Sequence, residues 1–196
     1  MKRLSKILFL ISVALIVVGV LISFIDNMKL TQPEHFKGLN KDTTRDDILS
    51  IYGEPDETVE YIYPEGQFYD VYNVEYLGVN GEIQVRYFDD DTENVYCVEF
   101  IINSIDFDSP KDYQNAVKKT NEHFERACEN MSRNDFSTDD KTSISFIDTE
   151  KEVNYMIYTN RIYNGSREEM NNLSTYDESK MSDCMCYQFS KVLTSE

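Results

Sequence analysis

The chain has only two histidines among its 196 residues, and it has no tryptophan. With His35 and His123 as the sole imidazoles, few residues could act as a histidine base or fill a histidine-rich metal site. Gly-x-Ser-x-Gly, His-Glu-x-x-His and glycine-rich phosphate-binding motifs are also absent from the sequence. We expect His123 on a helix surface and His35 in a polar stalk. The sequence therefore predicts no catalytic residue, no cofactor and no enzyme activity.

Lysine and arginine are scarce, since 19 of them stand against 36 aspartates and glutamates, for a net charge of −17. Such a surface repels phosphate groups, which excludes nucleic acid as an expected partner. The simplest role of the charge is to keep the protein solvated, and attraction of basic partners or divalent cations is the sharper alternative. Acidic pairs suited to glycoside hydrolysis arise by chance at this density, so a small carboxylate-dependent hydrolase stands only as a further alternative.

The segment that begins at Asp89 matches the pattern of a calcium-binding loop only in part. Asp89, Asp91 and Glu93 have the spacing of its first ligands, whereas Asn94 takes the place of the required glycine and Phe100 that of the terminal glutamate. We interpret the segment as an acidic turn, and the sequence predicts no metal site.

Four cysteines are present, Cys97, Cys128, Cys184 and Cys186, and none precedes Cys97 to carry an N-terminal lipid. An even number permits disulfides outside the cell. Cys184 and Cys186 are two apart on an expected strand, near the upper limit for a bridge between them. Four buried thiols, or one bridge from Cys97 or Cys128 to the C-terminal pair, both fit the sequence. Cys-x-Cys lacks the second ligand pair typical of zinc sites.

One uncharged run, Ile7–Ile25, follows Lys2, Arg3 and Lys6 and precedes Asp26. At about 1.5 Å per residue it reaches across a hydrocarbon core of roughly 30 Å. Basic residues on its N-terminal side only place the N-terminus in the cytoplasm and the rest outside. The run is longer than a signal peptide's apolar region and no Ala-x-Ala follows, which favours an uncleaved signal anchor over a cleaved signal. The sequence thus predicts a single-pass protein of a bacterial cell membrane with an extracellular C-terminal domain.

Helix and strand patterns alternate in blocks after this run. Either Thr43 or Thr44 caps the start of a short helix that Gly53 ends. Alternating apolar residues then predict antiparallel strands up to Ile102, with a type I′ turn at Asn80-Gly81. A second helix starts at Ser109, and a polar loop and further strands follow. The predicted fold class is α+β, in which an N-terminal transmembrane helix is followed by an ectodomain of helices packed on an antiparallel β-meander sheet.

The sequence is divided into four parts. Residues 1–26 are expected to form the cytoplasmic tip and transmembrane anchor, and residues 27–37 a stalk. Residues 38–108 form a helix plus antiparallel meander, and residues 109–196 a second helix plus strands. Because a core is marginal below about 70–80 residues, we expect the two halves to pack together.

The run GLNKDTTRDDILSIYGEP, residues 38–55, resembles the opening of SmpA/OmlA domains, which are similar in turn to the repeats of the β-lactamase inhibitor protein. Five residues stand at structural positions of the family pattern: Gly38, Thr44, Ile48, Gly53 and Pro55. The meander at Glu57–Ile102 follows in the expected order, so the resemblance covers about residues 36–102. It implies a small non-catalytic α+β module that binds other proteins, often in the cell envelope. The family's outer-membrane assembly member is a lipoprotein, and this chain has no early cysteine, so that assembly role is not implied here.

Together these features predict a membrane-anchored, extracytoplasmic, non-catalytic protein-binding module of the cell envelope. We expect contact through a tyrosine-rich sheet face or loop, since tyrosine gives a large contact area at low entropy cost. The expected partners are the membrane, through the N-terminal helix, and another envelope or surface protein. The alternative is a ligand- or cation-sensing ectodomain.

Overall fold

One antiparallel sheet of eight strands dominates the computed structural model, which describes residues 32–60, 68–88, 94–137, 142–165 and 177–192. The strands are β1 (Glu57–Glu60), β2 (Phe68–Tyr76), β3 (Val79–Tyr87), β4 (Val95–Asn103), β5 (Ser132–Ser137), β6 (Thr142–Asp148), β7 (Val153–Tyr163) and β8 (Met181–Lys191). Their order across the sheet is β1-β2-β3-β4-β8-β7-β6-β5. The chain thus forms two runs of four neighbouring strands, which join where β4 pairs with β8.

Two α-helices accompany the sheet in the described residues, α1 (Arg45–Tyr52) and α2 (Pro110–Ala127). Each precedes one run of four strands along the chain. Ser109 caps α2 by accepting a hydrogen bond from the Asp112 N–H, and Pro110 occupies its first turn. A 3₁₀ turn at Glu34–Phe36 precedes α1.

The predicted fold class is wrong. The described chain is mainly one large antiparallel sheet with two helices, rather than an ectodomain of helices packed on a meander behind an N-terminal transmembrane helix. The structure differs because β5 (Ser132–Ser137) forms a strand although its sequence is mostly polar, and because β4 pairs with β8, a strand far away in the sequence. Pairing of β4 with β8 joins the two groups of strands, and pairing of β5 with β6 completes the single sheet.

The prediction of a single-pass membrane protein is also contradicted. Among the described residues, no helix is both long enough and apolar enough to cross a membrane. The longest, α2, carries charged residues along its length, including Lys111, Asp112 and Lys118. The run Ile7–Ile25, on which the transmembrane, signal-anchor and localisation predictions depended, lies outside the described residues.

The turn between β2 and β3 lies three residues before the predicted one. Leu77 and Gly78 have φ values of +54° and +72°, as a type I′ turn requires, and Tyr76 pairs with Val79. Asn80 and Gly81 lie within β3 instead. A Cβ atom added at Gly81 would lie 2.5 Å from Cε2 of Phe100, so this glycine lets the Phe100 ring approach the neighbouring strand.

The core lies between one face of the sheet and the two helices. Phe124 of α2 is fully buried and packs against Phe36, Phe146 and Tyr187 from different parts of the chain. Four tyrosines are buried in this core, Tyr72, Tyr87, Tyr155 and Tyr187, and contact through an exposed tyrosine-rich face or loop stays a prediction. The 3₁₀ turn also enters it, because Phe36 supplies an aromatic ring that the expected polar stalk would have left exposed.

Candidate functional site

The sheet has two chemically different faces. Successive residues of a strand point to opposite sides. The face that packs against α1 and α2 is called the covered face, and the opposite one the open face. A row of residues crosses the open face on five adjacent strands, in register: Gln84, Glu99, Gln188, Met156 and Ser145. This row is mainly polar, whereas the neighbouring row on the covered face contains Val85, Val98, Phe189, Tyr155 and Phe146.

A chain of hydrogen bonds orders the centre of the open face. Gln84 donates to Glu82 at 2.6 Å, and Arg86 donates to Gln84 at 3.1 Å. Arg86 also pairs with Glu99 at 2.6 Å, and the Tyr158 hydroxyl donates to the same carboxylate. Glu99 is 4% exposed, so its charge is held by Arg86 on the adjacent β3 and by Tyr158 on β7, beyond β8, rather than by solvent. Burial raises the pKa of Tyr158, and its bond to Glu99 raises it further, which keeps the hydroxyl a donor.

A concavity of about 680 Å³ lies beside these hydrogen-bonded side chains and is called the acidic depression. Its acidic lining residues are Glu75, Glu82 and Asp106, and its amide-bearing ones are Asn73, Asn80, Gln84, Asn103 and Asn164. In the described part of the chain, no lysine or arginine lines it. The depression therefore offers carboxylate and amide oxygens without a cation to neutralise them.

The rim of the acidic depression is ordered by amide and hydroxyl contacts between β4, β7 and β8. Asn103 donates to Asn164 at 3.1 Å, Ser182 donates to Asn103 at 2.6 Å, and Asn164 donates to Ser182 at 2.8 Å. Ile105 lies at the same rim and is 61% exposed. An exposed apolar side chain beside fixed polar groups is typical of a contact surface.

A second concavity, of about 930 Å³, lies on the covered face beside α2 and is called the helix-side groove. Tyr113 and Val117 of α2 face Met181 and Met185 of β8 across it, and Arg161 stands at its end. Its size is within the usual range for small-molecule pockets. Arg161 is already paired with Asp183 and Glu178, at 3.8 and 3.6 Å. The groove thus presents an apolar floor and charges that compensate one another.

The five residues of the family pattern lie around α1 rather than at either concavity. Thr44 and Asp47 cap one another's backbone N–H groups, and Gly53 ends the helix with φ +85° while donating to the Leu49 carbonyl at 2.9 Å. The N-cap and C-cap predicted from the sequence are therefore confirmed. Ile48 is fully buried, Gly38 has φ +93°, and Pro55 follows the helix end. These residues shape the helix and position it on the sheet.

The two histidines lie near one another in the core, away from both concavities. His35 is 1% exposed, and its ring stacks on Tyr76 with centroids 3.8 Å apart. Burial and, to a smaller extent, the nearby His123 lower the pKa of His35 from 6.5 to about 3. Burial and Arg126 lower the pKa of His123, while Glu34 opposes the shift. Both rings are therefore neutral near pH 7, and the expectation of a stalk position for His35 is not met.

All four cysteines are buried as free thiols in the structure. Burial raises the pKa of Cys97 and that of Cys128 to about 12 each, which removes thiolate character at neutral pH. Among the described residues, no group of three or more histidine, cysteine, aspartate or glutamate side chains could hold a metal ion.

Comparison of the chain with protein-family models, with curated proteins and with solved structures finds no match. The geometry alone therefore carries the functional argument. The residues that line the acidic depression were not singled out from the sequence. Their one signal was the alternation along β3, where Asn80, Glu82, Gln84 and Arg86 separate apolar neighbours. That pattern predicts a polar face, but not which strands complete it.

Proposed function

We propose that this protein is a non-catalytic protein-binding module that holds a basic segment of a partner protein on the open face of its sheet. The observation that carries the proposal is the acidic depression, with Glu75, Glu82 and Asp106 on its walls and no cation among its described lining residues. A lysine or arginine side chain from a partner would meet several carboxylate and amide acceptors there. Arginine fits best, since its planar donors match carboxylate geometry.

Charge favours a basic occupant at long range as well as in contact. The whole chain has a net charge of −17, which attracts basic partners and speeds their association at low ionic strength. Exposed Ile105 adds an apolar contact beside the carboxylates. We expect binding to weaken as salt is added, because the depression is open to solvent and its charges are screened.

Order in the unbound surface supports binding rather than a solvated acidic face alone. The bonds that join Glu82, Gln84, Arg86 and Glu99 fix four side chains before a partner arrives. Fixing them in advance reduces the conformational entropy that is lost on association. An unselected surface of acidic residues would have no need of a buried carboxylate such as Glu99.

The placement of the reactive groups supports a non-catalytic role. His35 and the thiols of Cys97 and Cys128 are buried, His123 is partly buried, and all four carry shifted pKa values that disfavour their charged forms. The resemblance of residues 36–102 to SmpA/OmlA domains supports the same proposal, since that family implies protein binding without catalysis. We retain that resemblance as part of the proposal.

The proposal is tested by NMR titration of the full chain with short arginine-containing peptides, with acidic peptides of equal length as a reference. We expect amide shifts to cluster on β2, β3 and the Ser104–Asp106 turn, and to shrink in Glu75→Gln/Glu82→Gln. The matched control is Glu129→Gln/Glu150→Gln, which removes the same charge at exposed positions elsewhere. Shifts that are scattered, or equal losses in both double variants, would leave only nonspecific charge attraction and reject the proposal.

A second candidate function is binding of a small apolar ligand in the helix-side groove, favoured by its volume of about 930 Å³ and its methionine-lined floor. A fluorescent apolar dye such as anilinonaphthalene sulfonate provides the test. Met181→Arg should reduce dye fluorescence, while Met156→Arg on the open face should not. Equal fluorescence in both variants would remove this candidate and leave the first unaffected.

A further inference from the structure

Two thiols on the open face lie in direct contact. Cys184 and Cys186 are separated by one residue on β8, and their sulfur atoms are 3.7 Å apart. At a rise of about 3.3 Å per residue, side chains two apart on a strand start from Cβ atoms roughly 6–7 Å apart. Both side chains are therefore turned toward one another. Free cysteines that serve only as small apolar side chains have no need of this orientation.

The thiol pair lies among largely apolar side chains, but the Glu99 carboxylate raises the pKa of both thiols and the Tyr158 hydroxyl contacts Cys186. Cys184 and Cys186 are 1% and 2% exposed, and they form a cluster with Ile101, against which Tyr158 and Ile162 pack. This cluster is separate from the main core on the covered face. The contact with Cys186 lowers the pKa of Cys184, whereas the same contact and burial raise the pKa of Cys186.

The number of ligands decides which ion such a pair could hold. Structural zinc requires four ligands, commonly cysteine and histidine. The described residues contain no group of three or more histidine, cysteine, aspartate or glutamate side chains suited to a metal, so a zinc site is not formed. Monovalent copper is a soft ion that thiolates select, and two sulfur ligands can satisfy it.

Distance is consistent with a bridging ion. With a metal–sulfur bond near 2.3 Å, taking the zinc–sulfur length as a scale, two sulfurs bound to one ion lie at most about 4.6 Å apart. The separation of 3.7 Å corresponds to a bent arrangement, and a small side-chain rotation would open it toward a linear one. No backbone movement is required, in contrast to a disulfide between these two strand positions, which lies near the geometric limit.

We propose that Cys184 and Cys186 form a two-thiolate site for monovalent copper, or for another soft monovalent cation of the same chemistry. Binding forms two metal–sulfur bonds and releases one proton from each thiol to solvent. Neither sulfur is oxidised and the ion keeps its charge, so no oxidant or reductant takes part. The site is independent of the proposed partner-binding function, because its residues do not line the acidic depression.

Anaerobic titration of the reduced full chain against the coloured bicinchoninate complex of Cu(I) tests the proposal. We expect the protein to remove one equivalent of the ion, more strongly as pH rises, since protons are released on binding. Cys184→Ser/Cys186→Ser should lose this uptake. The matched controls Cys97→Ser and Cys128→Ser also replace buried thiols and should keep it.

X-ray absorption at the copper edge of the unmodified protein gives a second readout that does not depend on the fold of a variant. Two sulfur neighbours, without nitrogen or oxygen in the first shell, are expected. Failure of the wild-type chain to remove Cu(I) from the competitor, or uptake that survives in Cys184→Ser/Cys186→Ser, would overturn the proposal. An intramolecular disulfide as the only product, detected by mass spectrometry, would also overturn it.

Discussion

In the described part of the chain, each face of the sheet holds one buried carboxylate paired with an arginine, and the two pairs are built differently. On the covered face, Asp70 is fully buried and accepts from Arg45 at 3.1 and 3.2 Å, from Thr58 at 2.7 Å and from Tyr87 at 2.8 Å. The Arg45 guanidinium also lies over the Phe68 ring, 4.7 Å from its centroid. Because Arg45 is the first residue of α1, this ion pair fastens the helix to β2.

On the open face, Glu99 has Arg86 and Tyr158 as partners, and both belong to strands of the same sheet. No helix is held by this pair. Its effect is to fix neighbouring surface side chains, among them Gln84, which receives a bond from Arg86. The comparison shows that similar chemistry serves packing on one face and surface order on the other. The proposed binding function depends on that distinction.

The largest expected effect comes from Asp70→Asn, which leaves Arg45 without its anion and removes acceptor capacity from Thr58 and Tyr87. Breaking a buried ion pair on one side costs about 3–5 kcal/mol, and we expect the lower end because Arg45 is partly exposed. Urea unfolding measures the loss. Glu99→Gln is the matched change on the open face. Fewer donors lose a charged acceptor there, so this change should lower the free energy of unfolding by less than half as much. Equal losses would mean that both pairs serve packing alike.

Steric closeness on the covered face predicts the next effect. Gly81→Ala would bring a methyl group within 2.5 Å of Phe100 and 2.7 Å of the Ile101 carbonyl oxygen. Overpacking of this kind costs about 1–3 kcal/mol, and the rigid strand of Ile101 limits relaxation. The control Asn80→Ala changes the adjacent residue, which is exposed on the open face. A Gly81→Ala protein as stable as Asn80→Ala in thermal melts would contradict the close packing of Phe100.

Local chemistry made the ends of α1 predictable. Thr44 and Asp47 are three apart, and Gly53 precedes Pro55, so capping alone locates the helix. The hairpin after β2 could not be located in the same way, because Asn80-Gly81 is the stronger turn signal in isolation. The packing of Phe100 against Gly81 decides the register, and this contact joins residues far apart in sequence.

The acidic depression could not be predicted for a related reason. Its walls come from β2, β3, β4 and β7. β7 reaches the depression because it pairs with β8, which in turn pairs with β4. Alternation identified β3 as half polar, yet nothing in the sequence linked Glu82 to Asn164. The sequence does not predict a buried His35, because the segment around it is mostly polar. Packing of its neighbour Phe36, which is fully buried, places His35 in the core.

The end of α1 offers a smaller effect at the margin of the covered face. Gly53 has φ +85° and ψ −160°, a conformation that side chains with a Cβ rarely adopt, although no atom lies within 4 Å of the added Cβ. Gly53→Ala should therefore cost about 1–2 kcal/mol through the backbone alone. The control Ser50→Ala on the exposed side of the same helix should change stability by a few tenths. Similar thermal midpoints for the two variants would place the helix end elsewhere.

The smallest expected effect is a dependence of stability on pH, which arises from His35 in the core beneath the covered face. Tyr76, Phe100 and Tyr187 surround the ring from the sheet. His123 is the titratable group that acts on the pKa of His35, and Glu34 contacts His123 at 3.9 Å. Burial lowers the pKa of His35 from 6.5 to about 3, so the unfolded chain binds a proton in this window that the folded chain does not. Stability is then complete above about pH 6.5 and falls as pH decreases, by up to about 1.4 kcal/mol per pH unit.

His35→Phe keeps an aromatic ring in place and removes the titrating group. The difference between this variant and the wild type therefore gives the contribution of His35 to the pH dependence of stability. Urea unfolding near pH 7 and near pH 5 should show a loss for the wild type that exceeds the loss for His35→Phe by about 1–2 kcal/mol. His123→Phe is the matched control on α2, where the ring is less buried and Glu34 offsets part of the shift, so it should flatten the profile less. Identical pH profiles for wild type and His35→Phe would show that the ring is not held neutral in the folded core, and that the covered face accommodates charge as readily as the open one.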